Sequence, residues 1–335
     1  MQENMSKLAP IERVSQSIVR VLGLNPGPFT LQGTNTYVVG QGERRTLVDT
    51  GDGAQPEYFE RLKECLGGSR IDRILLTHWH ADHIGGINQL LSMPDVVAPD
   101  CAVYKNSCPE VDGRDSVAAM LSGARARGCL RGIADGQVFD VDAGRVRMTA
   151  VYTPGHTDDH MGFVVQQNSP ATAGEEEEEE RGVLLVTGDL VLGEGTTVVD
   201  DLSPYMRSLS RVLKLEPSML LPGHGPVIRG SGTDGSKPSN AVRVIEGYIQ
   251  HRLMRESQIV DVLGRPSPSP DSNGWRVEDI TAAVYSSITD PRVIVAAQHN
   301  TLLHLRKLQT EGVVRSTEDG GSRADHKELW ELIRK

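Results

Sequence analysis

The chain has 335 residues, of which 38% are hydrophobic, and a formal charge of −10. That length suits about two domains of ordinary size, and no apolar run approaches the roughly 18 residues that cross a bilayer, so a soluble globular chain is expected and a membrane span is not. Basic and acidic side chains balance from Ala241 to Lys335, and no basic stripe marks a nucleic-acid surface.

The first ten residues are polar and lack the apolar stretch of a secretory signal. Lys7, Arg13 and Arg20 with Ser6, Ser15 and Ser17 weakly resemble a transit peptide, but Glu3 and Glu12 break its acid-poor signature. Ile18 to Leu22 alternates as a strand does, Asn25-Pro26-Gly27-Pro28 breaks it, and Thr36 to Val39 and Thr46 to Val48 resume the pattern. Asp49 stands at the end of the last of these, either as a turn residue or as an outer group that orients a ligand. Asn35 reads as a loop cap with a lesser claim on substrate contact. Glu57 to Leu66 has helical spacing with Gly67-Gly68 as its stop, and Ile71 to Leu76 is the next strand.

That strand delivers Thr77-His78-Trp79-His80-Ala81-Asp82-His83, three histidines and a carboxylate in close succession. Imidazole nitrogen and carboxylate oxygen are the ligands zinc takes where thiolates are absent. On an extended segment His78 and His80 point to the same side, while Asp82 and His83 come at the turn into a helix and can reach a second ion. Ile84-Gly85-Gly86 is expected to begin a helix through Leu91, ended by Pro94, and residues 105–132 read as a surface excursion near the site. Cys65, Cys101, Cys108 and Cys129 form no CxxC pair and read as free thiols of a reducing compartment.

Val146 to Val151 is a strand, and Thr153-Pro154-Gly155-His156 follows with the next imidazole on a short, fixed loop. His160 is four residues on, a further ligand, an outer donor or a substrate contact. Glu175 to Glu180 is a block of like charge expected to stay solvated between two strands. Val183 to Thr187 reads as a buried strand closed by Asp189, whose two carboxylate oxygens suit a bridge between cations roughly 3.5 to 4 Å apart. Gly193-Glu194-Gly195-Thr196-Thr197 reads as a flexible, hydroxyl-rich loop, a plain connection ahead of a binding element, Tyr205 to Leu215 as a helix, and Met219 to Leu221 as the strand that presents His224 between two glycines. A Ser, Gly and Lys-rich linker over 231–240 separates residues 1–230 from a second domain over 241–335. There Val242, Ile245 and Ile249 have helical spacing; after the Pro-Ser stretch Pro266 to Pro270 come helical segments at Val277 to Ile288, Pro291 to Gln298 and Thr301 to Gln309, then a strand at Gly312-Val313-Val314. Arg306 and Lys307 can touch phosphate, although a solvated helix face is the better reading in a neutral domain.

The ordered series His-x-His-x-Asp-His, His156, Asp189 and His224, each at a strand end, resembles the metallo-β-lactamase superfamily. Within it, Leu31 to Tyr37, Thr77 to His80, Thr153 to Met161 and Gly193 to Thr197 resemble a branch of mitochondrial, single-strand-specific endoribonucleases. The resemblance implies an α/β (α+β) fold, an αββα sandwich with a C-terminal winged-helix-like domain. It also implies two Zn2+ per chain, one on His78, His80 and His156, the other on Asp82, His83 and His224, with Asp189 bridging. Asp49, Asn35 and His160 would stand behind these ligands or touch substrate. The expected partner is single-stranded RNA, with no membrane and no obligate protein partner, in the mitochondrial matrix. An aspartate bridge like Asp189 argues against antibiotic cleavage.

Two cations lower the pKa of a shared water and make hydroxide available to attack a phosphodiester in line. Asp82 could accept the proton, though metal coordination would blunt its basicity. The same donor set serves a glyoxalase II-like thioester hydrolase, the alternative reading, and lactone hydrolysis, iron-dependent sulfur oxidation and non-enzymatic RNA binding stand further back.

Overall fold

The computed structural model describes residues 7–167, 182–230, 239–268, 274–287, 289–316 and 328–333. The run Glu175 to Glu180, linker residues 231–238 and Pro270 lie outside the described residues.

In chain order the strands and helices are β1 (Ile11–Arg13), β2 (Ile18–Leu22), β3 (Asn35–Val39), β4 (Arg44–Val48), α1 (Pro56–Leu66), β5 (Arg70–Leu75), α2 (Ala81–Ile84), α3 (Ile87–Leu91) and β6 (Val97–Lys105). Then come α4 (Pro109–Asp112), α5 (Asp115–Met120), α6 (Ser122–Ala126), β7 (Leu130–Gly132), β8 (Val138–Val141), β9 (Val146–Tyr152), β10 (Met161–Gln167), β11 (Leu184–Gly188), α7 (Leu202–Leu213), β12 (Met219–Pro222) and β13 (Ile228–Arg229). The C-terminal part holds α8 (Asn240–Leu263), β14 (Trp275–Arg276), α9 (Val277–Val284), α10 (Pro291–Thr310), β15 (Val314–Ser316) and β16 (Leu329–Leu332).

Among the described residues β1 to β7 form one sheet in sequence order, and β13-β12-β11-β10-β9-β8 form a second. Side-chain alternation assigns each strand to two layers at once. Tyr37 and Val39 of β3 face the second sheet while Val38 faces the helices; Leu184 and Val186 of β11 face the first sheet while Leu185 faces outward to α7 and α8. Strands buried on both faces are why these runs are continuously apolar. The interior between the sheets closes on Phe163, Met148 and Leu221, each fully buried, and burying a side chain such as Phe163 contributes about 1.5–3 kcal/mol. The result is helices, sheet, sheet, helices.

Several elements differ from the sequence expectation. The helix expected from Ile84 starts at Ala81 and breaks into α2 and α3 at Gly85-Gly86, where glycine is required at 86 because a Cβ would collide with the Thr50 carbonyl oxygen. Residues 105–132 are no mere surface excursion: Val111, Val117, Leu121 and Ala124 enter the core under the first sheet, and β7 extends it. Strands β6, β8 and β10 were not visible in the local pattern. The expected helices at 291–298 and 301–309 are one helix, α10, and the one expected to reach Ile288 stops at Val284.

Helix α8 belongs to two cores. Its first turns bury Ala241 and Ile245 against the outer face of the second sheet with Leu303 of α10; its last turns bury Ile259, Val262 and Leu263 with Val277, Ile280, Leu305 and Trp330. Ser239 starts the helix, its hydroxyl accepting from the Val242 amide at 3.1 Å. No helix among the described residues is long and apolar enough to cross a membrane.

Candidate metal centre

Every candidate ligand sits just past the carboxyl end of a strand: His78 and His80 after β5, His156 after β9, Asp189 after β11 and His224 after β12, with Asp82 and His83 in the first turn of α2. The fold gathers them into two donor groups, His78, His80, His156 and Asp189 in one, Asp82, His83 and His224 in the other.

In the first group three ring nitrogens form a triangle: His78 Nε2 to His80 Nδ1 at 2.9 Å, His156 Nε2 to His80 Nδ1 at 3.2 Å, and His156 Nε2 to His78 Nε2 at 3.3 Å. Three atoms cannot be divided into donors and acceptors so that every edge pairs unlike with like removed; one edge always sets lone pair against lone pair or N–H against N–H. A cation that receives three lone pairs relieves this conflict. His156 is already set for that role, since its Nδ1 donates to the Val198 carbonyl at 2.7 Å and leaves Nε2 bare. Burial, with the neighbouring rings His156 and His83, holds His80 down to about 4, and burial with His83 holds His78 well below the ordinary histidine range, so both rings stand neutral.

The second group carries the opposite charge. Burial disfavours a charged His83, but the carboxylates of Asp82, Asp189 and Asp49 outweigh it and raise the ring well above the usual range. His224 is likewise opposed by burial and pushed up to about 9 by Asp189 and Asp82. Burial opposes ionisation of Asp82 and Asp189 too, yet His83 and His224 keep both carboxyls well below the carboxylate range. A buried and a half-buried carboxylate side by side require positive charge, which protonated rings or a divalent cation can supply. Asp189 lies between the groups, its Oδ2 3.6 Å from His156 Nε2 and 3.4 Å from His224 Nε2, its Oδ1 3.6 Å from His83 Nε2 and without a hydrogen-bond partner. A buried carboxylate oxygen left over, beside an imidazole triangle in conflict, fits two cations sharing Asp189.

The surrounding residues sort themselves by their bonds. Asp49 adopts a left-handed φ of 58° that turns its carboxylate back to accept from the Thr77 amide and hydroxyl, both at 2.8 Å, and from His83 Nδ1 at 2.8 Å. It orients His83 and is no plain turn residue. Asn35 is not at hand for substrate: buried, it donates to the Pro222 and Gly225 carbonyls at 2.9 and 2.8 Å and so clamps the His224 turn. His160 is not a spare ligand, because Nδ1 is bonded to Thr153 Oγ1 at 2.8 Å and Nε2 accepts the Asp189 amide at 3.1 Å. Gly223 is required by space, since a Cβ there would collide with Asp189 Oδ1 and His83. Asp82 Oδ2 accepts the Thr34 hydroxyl at 2.9 Å and lies 3.2 Å from both His83 Nε2 and His224 Nε2, which makes it a poor proton acceptor.

A cavity of about 450 Å³ opens over the donors. Its walls include Phe29, Leu31, Leu192, Glu194 and Val198, so the Gly193 to Thr197 loop is part of the site and not a plain connection. Phe29 is 77% exposed at the rim. Sequence reasoning passed over Phe29, Thr34 and Val198; Thr34 alone had a signal, its place in the Gly33-Thr34-Asn35 run.

The four-layer sandwich, with donors at the strand ends, defines a class of metal-dependent hydrolase. Residues 29–169 match the family model described as "Metallo-beta-lactamase superfamily", and residues 277–323 match "Beta-lactamase associated winged helix domain". The chain belongs to the metallo-β-lactamase superfamily and joins its αββα fold to a C-terminal winged-helix domain. Among individual proteins, it is 36% identical over 313 residues to "Beta-lactamase-like protein 2 homolog" of Drosophila melanogaster, covering 93% of this chain and 94% of that one. It is 34% identical over 320 residues to "Atrochrysone carboxyl ACP thioesterase nsrC" of Aspergillus novofumigatus, covering 93% and 85%. A β-lactamase domain protein from Burkholderia ambifaria superimposes with a TM-score of 0.69 at 19% identity, over 96% of this chain and 93% of that one.

Proposed function

We propose that the protein is a dinuclear zinc-dependent endoribonuclease of single-stranded RNA, acting in the mitochondrial matrix. The observation that carries the chemistry is the pair of donor groups with Asp189 lying between them on the floor of an open cavity. The nucleic-acid reading is supported by the sequence runs that resemble single-strand-specific endoribonucleases.

His78, His80 and His156 would hold one cation and Asp82, His83 and His224 the other, with Asp189 between them. When bound, such a pair supplies an acidified water and offsets charge on the attacked phosphate. Asp49 keeps His83 turned inward, and the Asn35 clamp holds His224 in place. Phe29 offers a ring face at the rim on which an unstacked base can lie, a contact open to a flexible strand and closed to a stiff duplex. With an overall charge of −10, RNA binding would rest on the site itself more than on a long basic track.

A second reading, thioester hydrolysis, is favoured by the apolar mouth of Phe29, Leu31 and Val198 and by the thioesterase relative. The deciding experiment incubates the zinc-loaded protein with end-labelled single-stranded RNA, the matching duplex and an acyl carrier thioester. Internal cleavage of the single strand, weak cleavage of the duplex and complete loss with chelator are expected. Equal cleavage of both RNAs would overturn the single-strand specificity, and turnover of the thioester alone would overturn the nuclease reading.

A further inference from the structure

One wall of the metal centre is braced by α8, the helix that joins the outer face of the second sheet to the C-terminal core. His156 takes its orientation from the Val198 carbonyl, and that carbonyl belongs to a loop which makes two sets of contacts with α8. Tyr248 and Arg252 lie one helical turn apart on α8 and so share a face. The Tyr248 hydroxyl accepts the Leu192 amide at 3.1 Å and donates to the Gly195 carbonyl at 3.0 Å, tying together the two ends of the loop's first half. Arg252 donates to the Thr197 carbonyl at 3.1 Å, next in the chain to the carbonyl that His156 uses. Further along, the Asp200 and Asp201 amides donate to the Gly155 carbonyl at 2.9 and 3.1 Å and return the loop to the His156 turn.

Arg252 is only 5% exposed, yet among the described residues it has no carboxylate within ion-pair distance. Its contacts are the Thr197 carbonyl, the Asn300 side-chain oxygen at 3.5 Å and the Tyr205 ring, 5.6 Å below the guanidinium. A buried guanidinium without a counter-ion is costly, and a fold that needed only packing there would use an apolar residue. The hydrogen bond to the loop is what an apolar residue could not supply.

We propose that Arg252 and Tyr248 are positioning residues: through the Leu192 to Val198 loop they fix the ring orientation and tautomer of His156, so that helix α8 completes the His78, His80 and His156 group. This rests on the reading that the donor groups hold divalent cations. It assigns α8 a part in the site that does not depend on which ester is cleaved.

The test uses the full chain as wild type and as Arg252→Ala, Arg252→Lys and Tyr248→Phe. In the metal-free proteins, the ring nitrogens of 15N-labelled histidine report tautomers. His156 is expected to be locked as Nδ1–H in the wild type and to exchange between forms in Arg252→Ala and, less so, in Tyr248→Phe. Zinc titration against a competing chelator should show one of two cations weakened by about tenfold or more in Arg252→Ala, as loss of outer support typically gives. The other cation should be unchanged, and Arg252→Lys should recover part of the loss. Should Arg252→Ala fail to fold, Tyr248→Phe, which keeps the ring, and Arg252→Lys decide. An unaltered His156 tautomer with wild-type affinity in these variants would overturn the proposal, as would equal weakening of both cations with a falling thermal midpoint. A wild type that takes up no zinc would instead overturn the metal reading, while the tautomer spectra would still judge the loop.

Discussion

Asp82, His83 and His224 rest on side chains of the sandwich strand ends, whereas His156 in the other group closes against a loop that leans on α8. Asp49 at the end of β4 and Asn35 at the start of β3 are buried between elements of high long-range order, and each makes at least two hydrogen bonds behind a ligand. His156 is held by the Val198 carbonyl of the Leu192 to Val198 segment, whose own anchors are two side chains of α8. Similar ligand chemistry thus stands on unequal foundations, one set by strand pairing and one by helix docking.

The largest effect should come from the residue common to both groups. Asp189→Asn removes the charge between them; the rate should fall by more than about 100-fold, beyond what loss of an outer partner costs, and zinc per chain should drop with the fold retained. Metal analysis and circular dichroism check this, and two cations at wild-type rate would remove Asp189 from its shared role.

Asp49→Ala attacks the sandwich foundation, directly under His83 and only through Thr77 under His78. It leaves the Thr77 amide and hydroxyl and His83 Nδ1 without their acceptor, which should cost about 1–3 kcal/mol of stability and about 10- to 100-fold in affinity for one cation. Denaturant melts and chelator competition measure the two. If the cation weakened here proves to be the one weakened by Arg252→Ala, the division between foundations does not exist.

A difference in protonation offers a third handle. In the metal-free protein His224 is raised to about 9 and His83 is raised as well, while His80 stands near 4. At pH 7 the first two carry protons that a cation must displace, so binding at the Asp82, His83 and His224 group should release protons and tighten as pH rises toward about 9. His78 and His80, both lowered, should give up no proton to a cation. Calorimetry in buffers of different ionisation enthalpy reads the proton count directly, and zero release for both cations at pH 7 would contradict the charge assignment.

The smallest effects are expected on α10. Lys307 is not the surface cation its neighbour suggests: it is buried, paired with Glu256 at 2.9 Å and Glu311 at 2.8 Å, beside His304. Lys307→Ala should lower stability by about 1–3 kcal/mol without altering cation affinity. Arg306 is exposed, and Arg306→Ala should stay within about 0.5 kcal/mol with RNA affinity and its salt slope unchanged. A shallower salt slope would make this helix an RNA surface after all.

The residue types at the site were legible from sequence because metal ligands are chemically rare and cluster in short motifs: His78 to His83, His156, Asp189 and His224 were all visible as strand-end donors. Strands such as β11 and β12 were legible too, since burial on both faces leaves a continuous apolar run. Less could be read where neighbours decide. Strand β6 includes Pro99 and Asp100 and lacks a clean alternation, yet it pairs with β5 because the sheet supplies its partners. The segment from Pro109 to Ala126 looks like surface until its four apolar side chains meet the first sheet.

Local sequence determined which atoms could bind a cation, because ligand chemistry is a property of the side chain and strand ends are marked by their own composition. It did not determine what each remaining polar group would do. Asn35 and Pro222 are 187 positions apart when they bond, Arg252 and Thr197 are 55 apart, and His160 is spent on the amide of Asp189, 29 residues away. Such bonds depend on distances that exist only after the two sheets have packed and α8 has docked, so tertiary structure alone decided which polar residues hold the site and which line the cavity.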